Sequence, residues 1–265
     1  QMSLFPRGTK NIAMGGVGAA DISRPVTGYY NPAALAWTDG IFLEMNYHEF
    51  IDFYSYLDAR MTAGKTKENF LYGGLFGFTA EYLLQDCIYS FPSFECEPFD
   101  KPNYYLSAGF AAAKRAGPLS AGLGVVLKEL KNRSGAQYSS LALDIGAILA
   151  WTVETEEGYR ICSTFGASAR NMSDDIEIES DGELWTRYQM GESRYGLGME
   201  MSTPSAAYVS KKLGRNVAAF KAQVLYDLVR GFGSNEEMEG WGVGMEVALF
   251  ETLFIRVGNS KDLFA

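Results

Sequence analysis

The chain has 265 residues, a length that allows one or two soluble domains or a single barrel of about a dozen strands. Although 47% of the residues are hydrophobic, no stretch reaches the roughly 18 to 20 uninterrupted apolar residues that a membrane-spanning helix needs, which excludes a helical membrane protein. The net charge is -9 and the basic residues do not cluster, which excludes a nucleic-acid-binding surface.

The first forty residues do not alternate between apolar and polar positions, and they predict a compact plug (residues 1–40) that precedes a single strand domain (residues 41–265). Pro32 after Asn31 predicts a short helix that Asn31 caps and that continues through Leu35. The glycines at 15, 16 and 18 follow no buried strand and precede no Gly-Lys-Ser/Thr, so we expect no nucleotide binding.

From about residue 42 onward, apolar and polar residues alternate with a period of two, which is typical of β-strands with two different faces. Between Leu141 and Val153, for example, every odd position is apolar. About eleven such strands are visible, most of them near the 9 to 11 residues of a tilted transmembrane strand. Tight turns around 116–118 and 156–158 alternate with segments that we expect to be long and irregular. These segments lie around residues 82–102, 130–138, 172–193 and 230–240.

The alternation leaves two architectures open, because it does not say which face is the inside. A soluble antiparallel sandwich would turn its apolar face inward. The length of the strands, and a polar face rich in Gly, Ala, Ser and charges of both signs, favour an up-and-down transmembrane β-barrel with a crowded lumen. We expect the lumen charges to form structural ion pairs, to anchor the plug or to line a path. They are Lys128, Asp144, Arg160, Arg170, Lys221, Asp227, Glu246 and Arg256.

The cysteines and the single histidine give no catalytic or metal-binding pattern. Cys87 and Cys96 lie nine residues apart, so they close a disulfide across an exported loop or stay as two free thiols. Cys162 falls in a strand and is expected to be free. His48 has no serine or cysteine nucleophile in a recognisable set with it, and no Cys or His grouping has the spacing of a zinc site. We therefore expect no enzyme activity, no metal and no cofactor.

The motif of Arg7-Gly8, then 13–19 (AMGGVGA), then 30–35 (YNPAAL) resembles the opening of the FadL-like outer-membrane transporter superfamily, which includes the PorV and PorQ proteins of type IX secretion. The resemblance implies a barrel of about fourteen strands whose lumen holds an N-terminal hatch. It also implies passage of long-chain fatty acids or other hydrophobic molecules as the hatch moves. The hatch or ligand residues that it indicates are Met14, Gly15, Gly16, Gly18, Tyr30, Asn31, Pro32 and Ala33.

Two functions follow from this reading. The first is passive transport of hydrophobic small molecules, with outer-membrane lipid as a partner; the second is a PorV-like platform that receives other outer-membrane or secreted proteins. An initial Gln1 favours an exported chain whose signal peptide has been removed over a cytoplasmic one. Residues 255–265 are expected to lack a final amphipathic strand, so we expect further strands beyond residue 265 or a partner that covers the open edge.

Overall fold

The fold is described from a computed structural model, which gives residues 9–23, 29–38, 40–50, 54–64, 76–90, 95–131, 137–172, 176–180, 183–188, 191–214, 217–231 and 239–261. A short helix α1 (Thr9–Ala13) and a 3₁₀ helix (Pro32–Trp37) precede the strands, and α2 (Ala207–Leu213) lies between two of them. No helix in these ranges is long and apolar enough to cross a membrane. The strands are β1 (Gly40–Phe50), β2 (Tyr54–Gly64), β3 (Phe76–Ser90), β4 (Glu95–Ala116), β5 (Leu119–Lys131), β6 (Gln137–Glu154), β7 (Arg160–Met172), β8 (Ile176–Ser180), β9 (Glu183–Tyr188), β10 (Glu192–Ser202), β11 (Phe220–Gly231), β12 (Glu239–Leu249) and β13 (Leu253–Lys261).

Eleven strands form one antiparallel sheet in which neighbours in the chain are neighbours in space. The order is β1 to β7, then β10 to β13, while β8 and β9 pair with each other as a separate hairpin. The predicted antiparallel up-and-down arrangement is therefore confirmed for the described strands. The fourteen strands that the resemblance implies, and closure of the sheet into a barrel, stay predictions.

Two predicted irregular segments are wrong in detail, because they contain regular strands. Residues 82–90 and 95–102 belong to β3 and β4, and 172–193 contains the β8–β9 hairpin. Pro98 and Pro102 interrupt the sequence pattern, yet residues 95–103 of β4 pair with no strand but β3 in the described part of the chain, and such an edge tolerates proline. The segments 130–138 and 230–240 keep strand residues at both ends, and their centres (132–136 and 232–238) lie outside the described residues.

The prediction that residues 255–265 contain no final strand is also wrong. β13 runs from Leu253 to Lys261 and pairs with β12 along its length. Ile255 and Val257 keep the outward apolar phase, with 62% and 57% of their surface exposed. Gly258 and Asn259 then break the apolar pattern that the sequence prediction relied on, because the N-terminal segment lies directly against them.

The apolar face of the sheet points away from the interior. On β6, Leu141, Ile145 and Leu149 are 62%, 45% and 39% exposed, whereas the alternate residues Ala142 and Ile148 are fully buried. On the other strands whose side chains are described, large apolar residues at the outward positions are likewise exposed. They include Leu123, Leu127, Phe165, Leu197, Met199, Val224, Leu228 and Met245. The soluble sandwich, in which these side chains would meet in a dry centre, is therefore excluded.

The sheet curves around residues 9–23 and 29–38, which together we call the N-terminal segment. α1 contacts β13, while the 3₁₀ helix contacts β2, β4, β5 and β6, so this short segment reaches strands near both ends of the sheet. Met14, Tyr30 and Ala33 in it have no exposed surface. The described residues of this segment therefore lie against the concave face of the sheet, and the plug predicted over residues 1–40 stays a prediction.

Candidate functional site

A row of six glycines crosses the concave face at the level of the N-terminal segment. Neighbouring strands bring them together in pairs, since Gly122 is opposite Gly146, Gly166 opposite Gly196, and Gly244 opposite Gly258. A Cβ atom built on any of the six would lie less than 3.0 Å from an atom of the N-terminal segment. We call this set the glycine row. Its missing side chains are what let the segment's backbone approach the sheet.

The segment's own glycines also have fixed positions. Gly15 and Gly16 have φ of 74° and 77°, a left-handed conformation that closes the end of α1, and Gly16 N–H donates to the Asn11 carbonyl at 2.7 Å. A Cβ on Gly15 would lie 2.6 Å from the Asn259 carbonyl oxygen, and one on Gly18 would lie 2.6 Å from the Tyr30 ring. These glycines therefore make a turn and close contacts; the hatch motion that the resemblance implies stays a prediction.

Asn31 holds the centre of the segment. Its side-chain oxygen accepts from Ala33 N–H at 3.0 Å, so it caps the 3₁₀ helix with Pro32 in the first turn, and the predicted cap is confirmed. Its amide nitrogen lies 2.9 Å from the Ala19 carbonyl oxygen of the same segment. The same nitrogen lies 3.1 and 3.2 Å from carbonyl oxygens at positions 147 and 167 of the sheet. The Asn31 side chain thus connects the 3₁₀ helix and the backbone at Ala19 to β6 and β7.

Asp227 of β11 binds the backbone of the N-terminal segment at Gly18 and Ala19. Its Oδ2 accepts from the N–H groups of Gly18 and Ala19 at 2.8 and 3.0 Å. Arg194 of β10 lies 3.7 Å from the same carboxylate oxygen and donates to the Gly16 carbonyl at 2.9 Å. Because residues 16–19 have few backbone partners of their own, these strand side chains supply the hydrogen bonds that buried backbone groups require.

Two buried arginines flank a single buried glutamate beside the two tyrosines of the segment. Glu192 lies 2.7 Å from Arg170 and 2.9 Å from Arg194. The Arg170 guanidinium lies over the Tyr29 ring at 3.8 Å, and that of Arg194 lies 5.0 Å from the Tyr30 ring centroid. All three charged side chains are at most 4% exposed. This triad therefore ties β7 and β10 to the segment.

Lys10 closes the other end of the segment. Its ammonium donates to Asp21 Oδ2 at 2.7 Å, to Ser23 Oγ at 2.6 Å and to Gln223 Oε1 on β11 at 2.6 Å. Burial raises the pKa of Asp21, but the Lys10 charge and the hydrogen bonds from Lys10 and Ser23 outweigh burial and hold the pKa below its ordinary value of 3.8. The carboxylate is therefore charged at neutral pH and fixes the loop between residues 10 and 21.

Two further residues of the predicted hatch, Met14 and Ala33, are buried by packing. Met14 packs with Val17 of the segment and Leu225 of β11. Ala33 and Ala34 pack with Ile148 and Ala150 of β6.

Most of the other predicted lumen charges also point inward. Asp144 accepts from Asn171 N–H at 2.6 Å, Lys221 pairs with Glu200 at 2.8 Å, and Glu246 pairs with Arg256 at 2.5 Å. Arg160 has the inward phase at the exposed first position of β7. Lys128 lies in β5, but its side chain lies outside the described residues.

The predicted Cys87–Cys96 disulfide stays a prediction. Cys87 is opposite Pro98, and Cys96 is opposite Tyr89, so the register offsets the two cysteines by two residues. Both side chains lie outside the described residues. Cys162 is a free, buried cysteine, as expected.

Sequence reasoning missed four of the charged residues that hold the segment. Glu192 and Arg194 share the inward phase of β10 with the two glycines at 196 and 198, and that phase was the available signal for them. Lys10 and Asp21 lie in a stretch without periodicity, and only their folded positions reveal them.

Comparisons with known proteins give little support for a family. No family model matches the chain, and no curated protein matches it. Among solved structures, the chain is similar to the beta domain of the Bordetella autotransporter Brka, with 11% sequence identity and a TM-score of 0.40; the match covers 83% of this chain and 89% of that one. A likeness this weak assigns no function, so the assignment depends on the geometry of this chain.

Proposed function

We propose that this chain is an outer-membrane β-barrel that passes hydrophobic small molecules, such as long-chain fatty acids, when its N-terminal segment rearranges. The observation that carries the proposal is the distribution of side chains between the two faces of the sheet. Large apolar side chains cover the outside, whereas buried charges and the docked segment fill the inside. Water-soluble monomers rarely expose contiguous apolar patches of more than a few hundred Å², so this face needs a covering, and lipid is the one that suits a whole strand surface.

The height of the apolar band supports lipid as that covering. On β6 the outward residues from Leu141 to Val153 span about 41 Å at about 3.4 Å per residue. At the tilt of about 40° that is typical of transmembrane strands, this corresponds to about 31 Å along the membrane normal, close to the thickness of a hydrocarbon core. Within the described sheet each strand from β2 to β12 pairs on both sides, so the paired backbone groups of these strands need no water.

The attachment of the N-terminal segment supports a gated route. Strand side chains and short hydrogen bonds hold the segment, and no strand of the sheet uses it as a pairing partner within the described residues. It can therefore leave its place without breaking the ladders of the sheet. The choice of fatty acids as cargo comes from the resemblance of the motif around residues 13–19 and 30–35.

Membrane insertion is tested first. The purified protein should need detergent or lipid to stay in solution, and quenchers attached to lipid acyl chains should quench the outward Trp151, which is 49% exposed. A protein that remains monomeric in plain buffer would contradict insertion.

Transport is tested with a reversible lock. Asp21 and Gln223 have side-chain atoms 3.2 Å apart across the contact between segment and sheet. In a chain whose native cysteines are replaced by serine, D21C and Q223C are joined by a short, reducible bifunctional thiol reagent. Uptake of labelled fatty acid into liposomes should stop on cross-linking and return on reduction, while D21C alone should be unaffected by the reagent. Equal uptake before and after cross-linking would refute a gate in this segment.

The second candidate is a platform for other proteins, and the β3–β4 hairpin favours it. Within the described residues, 95–103 of β4 pair with β3 alone, and β3 itself extends five residues (86–90) beyond its last pair with β2. At about 3.4 Å per residue the hairpin projects about 17 Å beyond the neighbouring strands. If the platform is right, shortening the hairpin should remove stoichiometric protein partners from the purified complex and leave fatty acid uptake unchanged.

A further inference from the structure

A cavity of about 220 Å³ lies where the N-terminal segment meets β7, β10 and β11, at the end of the sheet with the tight turns. Ile22, Ser23 and Trp37 of the segment form one wall. The opposite wall consists of residues of the three strands, and five of them lie in two adjoining rows of the register: Arg160 and Lys221 in one, Cys162, Glu200 and Gln223 in the other. The triad and Asn31 do not line it, but Ser23 and Gln223, which accept hydrogen bonds from Lys10, do.

The charges around this cavity favour an anion. Lys221 and Glu200 neutralise each other at 2.8 Å. Arg160 stands at the exposed first position of β7 and makes no ion pair within the part of the chain that the structure describes. Glu154 is its register partner on β6 and forms no ion pair with it, but lowers the local positive potential. The net charge of the lining is therefore positive.

The remaining lining residues and the volume of the cavity limit the polarity and the size of the rest of the ligand. Ile22 and Trp37 provide an apolar surface, and the Thr164 hydroxyl, which makes no hydrogen bond among the described residues, provides a donor. The volume equals that of about seven water molecules, below the range of about 300 to 1,000 Å³ for drug-sized ligands. A long acyl chain does not fit in this space.

We propose that this cavity binds a small organic monocarboxylate, held by Arg160 at its carboxylate and by Ile22 and Trp37 at its short apolar part. An arginine–carboxylate contact is charge-assisted and bidentate, which suits an exposed guanidinium at the mouth of a small pocket. The site exists only while the N-terminal segment is docked, because that segment forms one wall. Binding goes beyond the proposed transport function and does not depend on it.

Cys162 provides the readout, because its buried thiol lines the cavity. In a C87S/C96S background, the rate at which a small neutral methanethiosulfonate modifies Cys162 is measured with increasing hexanoate. Hexanoate should slow modification, whereas hexanol, hexylammonium and palmitate at equal concentration should not. Calorimetric titration of hexanoate into the same protein gives a second measure that does not depend on the reactivity of the thiol.

Three variants make the test specific. R160Q should raise the hexanoate concentration for half-protection by about tenfold or more, the loss typical of one charge-assisted hydrogen bond. E154Q should lower it, because it removes the competing carboxylate. R230Q, at an exposed position at the far end of β11, should leave it unchanged. The proposal is overturned if calorimetry detects no hexanoate binding, if hexanol or palmitate protects equally, or if R160Q and R230Q behave alike.

Discussion

Substitution of Gly166 by alanine should loosen the N-terminal segment without unfolding the sheet. A Cβ at this position would lie less than 3.0 Å from the carbonyl carbon and oxygen of Ala19 and no more than 3.0 Å from the Cα of Ala20. These are backbone atoms in the centre of the segment, so no side-chain rotation relieves the clash. The segment must move away from β7, and the hydrogen bonds from Gly18 and Ala19 to Asp227 must lengthen.

The magnitude follows from the cost of overpacking. One methyl group forced into a well-packed site typically costs about 1–3 kcal/mol, which corresponds to a change of about 5- to 150-fold in the docked-to-released ratio. Amide hydrogen exchange followed by mass spectrometry measures this ratio directly, since the Gly18 and Ala19 amides exchange only on local opening. Their exchange should accelerate by that factor in G166A, whereas exchange of the β6 and β7 ladder should not change.

Gly124→Ala is the matched control. Gly124 also faces inward, on β5, which β6 separates from β7, but the nearest atoms to a Cβ there would be the Asp144 and Ala111 side chains at 3.2 and 3.4 Å and the Phe110 carbonyl at 3.6 Å. It contacts nothing in the N-terminal segment at this range, and it carries the same entropic effect of replacing glycine. If G124A accelerates amide exchange at Gly18 and Ala19 as much as G166A does, the close contact between the segment and the glycine row is not what keeps the segment docked.

Three further predictions concern the polar contacts. E192Q should lower the free energy of unfolding, measured by denaturation in guanidinium chloride, by about 3–5 kcal/mol, because it leaves two buried arginines without their shared anion. E200Q, in a partly exposed pair, should lower it by less than about 1 kcal/mol. N31D should keep the cap on the 3₁₀ helix yet release the segment, since it removes the amide that donates to three carbonyls, and N31A should lose both the cap and the donor. The pKa of Asp21 is depressed in the folded state, so its contribution to docking is complete above pH 3.8 and is lost as pH falls through the lower folded value. Trp37 fluorescence should follow this acid release in the native chain and show no such acid step in D21N.

The two faces of each strand were accessible from the sequence because alternation is a local property of each strand. Leu141 to Val153 shows the period directly, and the small residues of the opposite face indicated which side would be crowded. The extents of β3 and β4 were not accessible, since Pro98 and Pro102 read as breakers until an edge position is known. Strand β13 was missed for a related reason: Gly258 looks like a loop residue, and its role is to admit the backbone of Met14 and Gly15.

The contacts of the candidate site were largely hidden, because they join residues that are far apart in the chain. The Lys10 ammonium meets Gln223 across 213 positions, and the Gly18 amide meets Asp227 across 209. No pattern within a strand encodes such a pair. The motif at 30–35 gave the cap at Asn31, which depends on neighbours, but gave none of the three carbonyls that Asn31 binds outside the helix.

The segment can separate from the sheet because backbone hydrogen bonds hold the strands together, whereas strand side chains hold the segment. The paired strands satisfy their own N–H and C=O groups along the ladders, whereas the irregular residues 16–19 depend on Asp227, Arg194 and Asn31. Loss of those side chains therefore removes the partners of the segment and none of the ladder bonds. A sheet that keeps its hydrogen-exchange protection while the segment exchanges freely is the state that gating requires. If protection of β7 and β10 is lost together with that of Gly18 in N31A, the segment is part of the folding core and cannot serve as a gate.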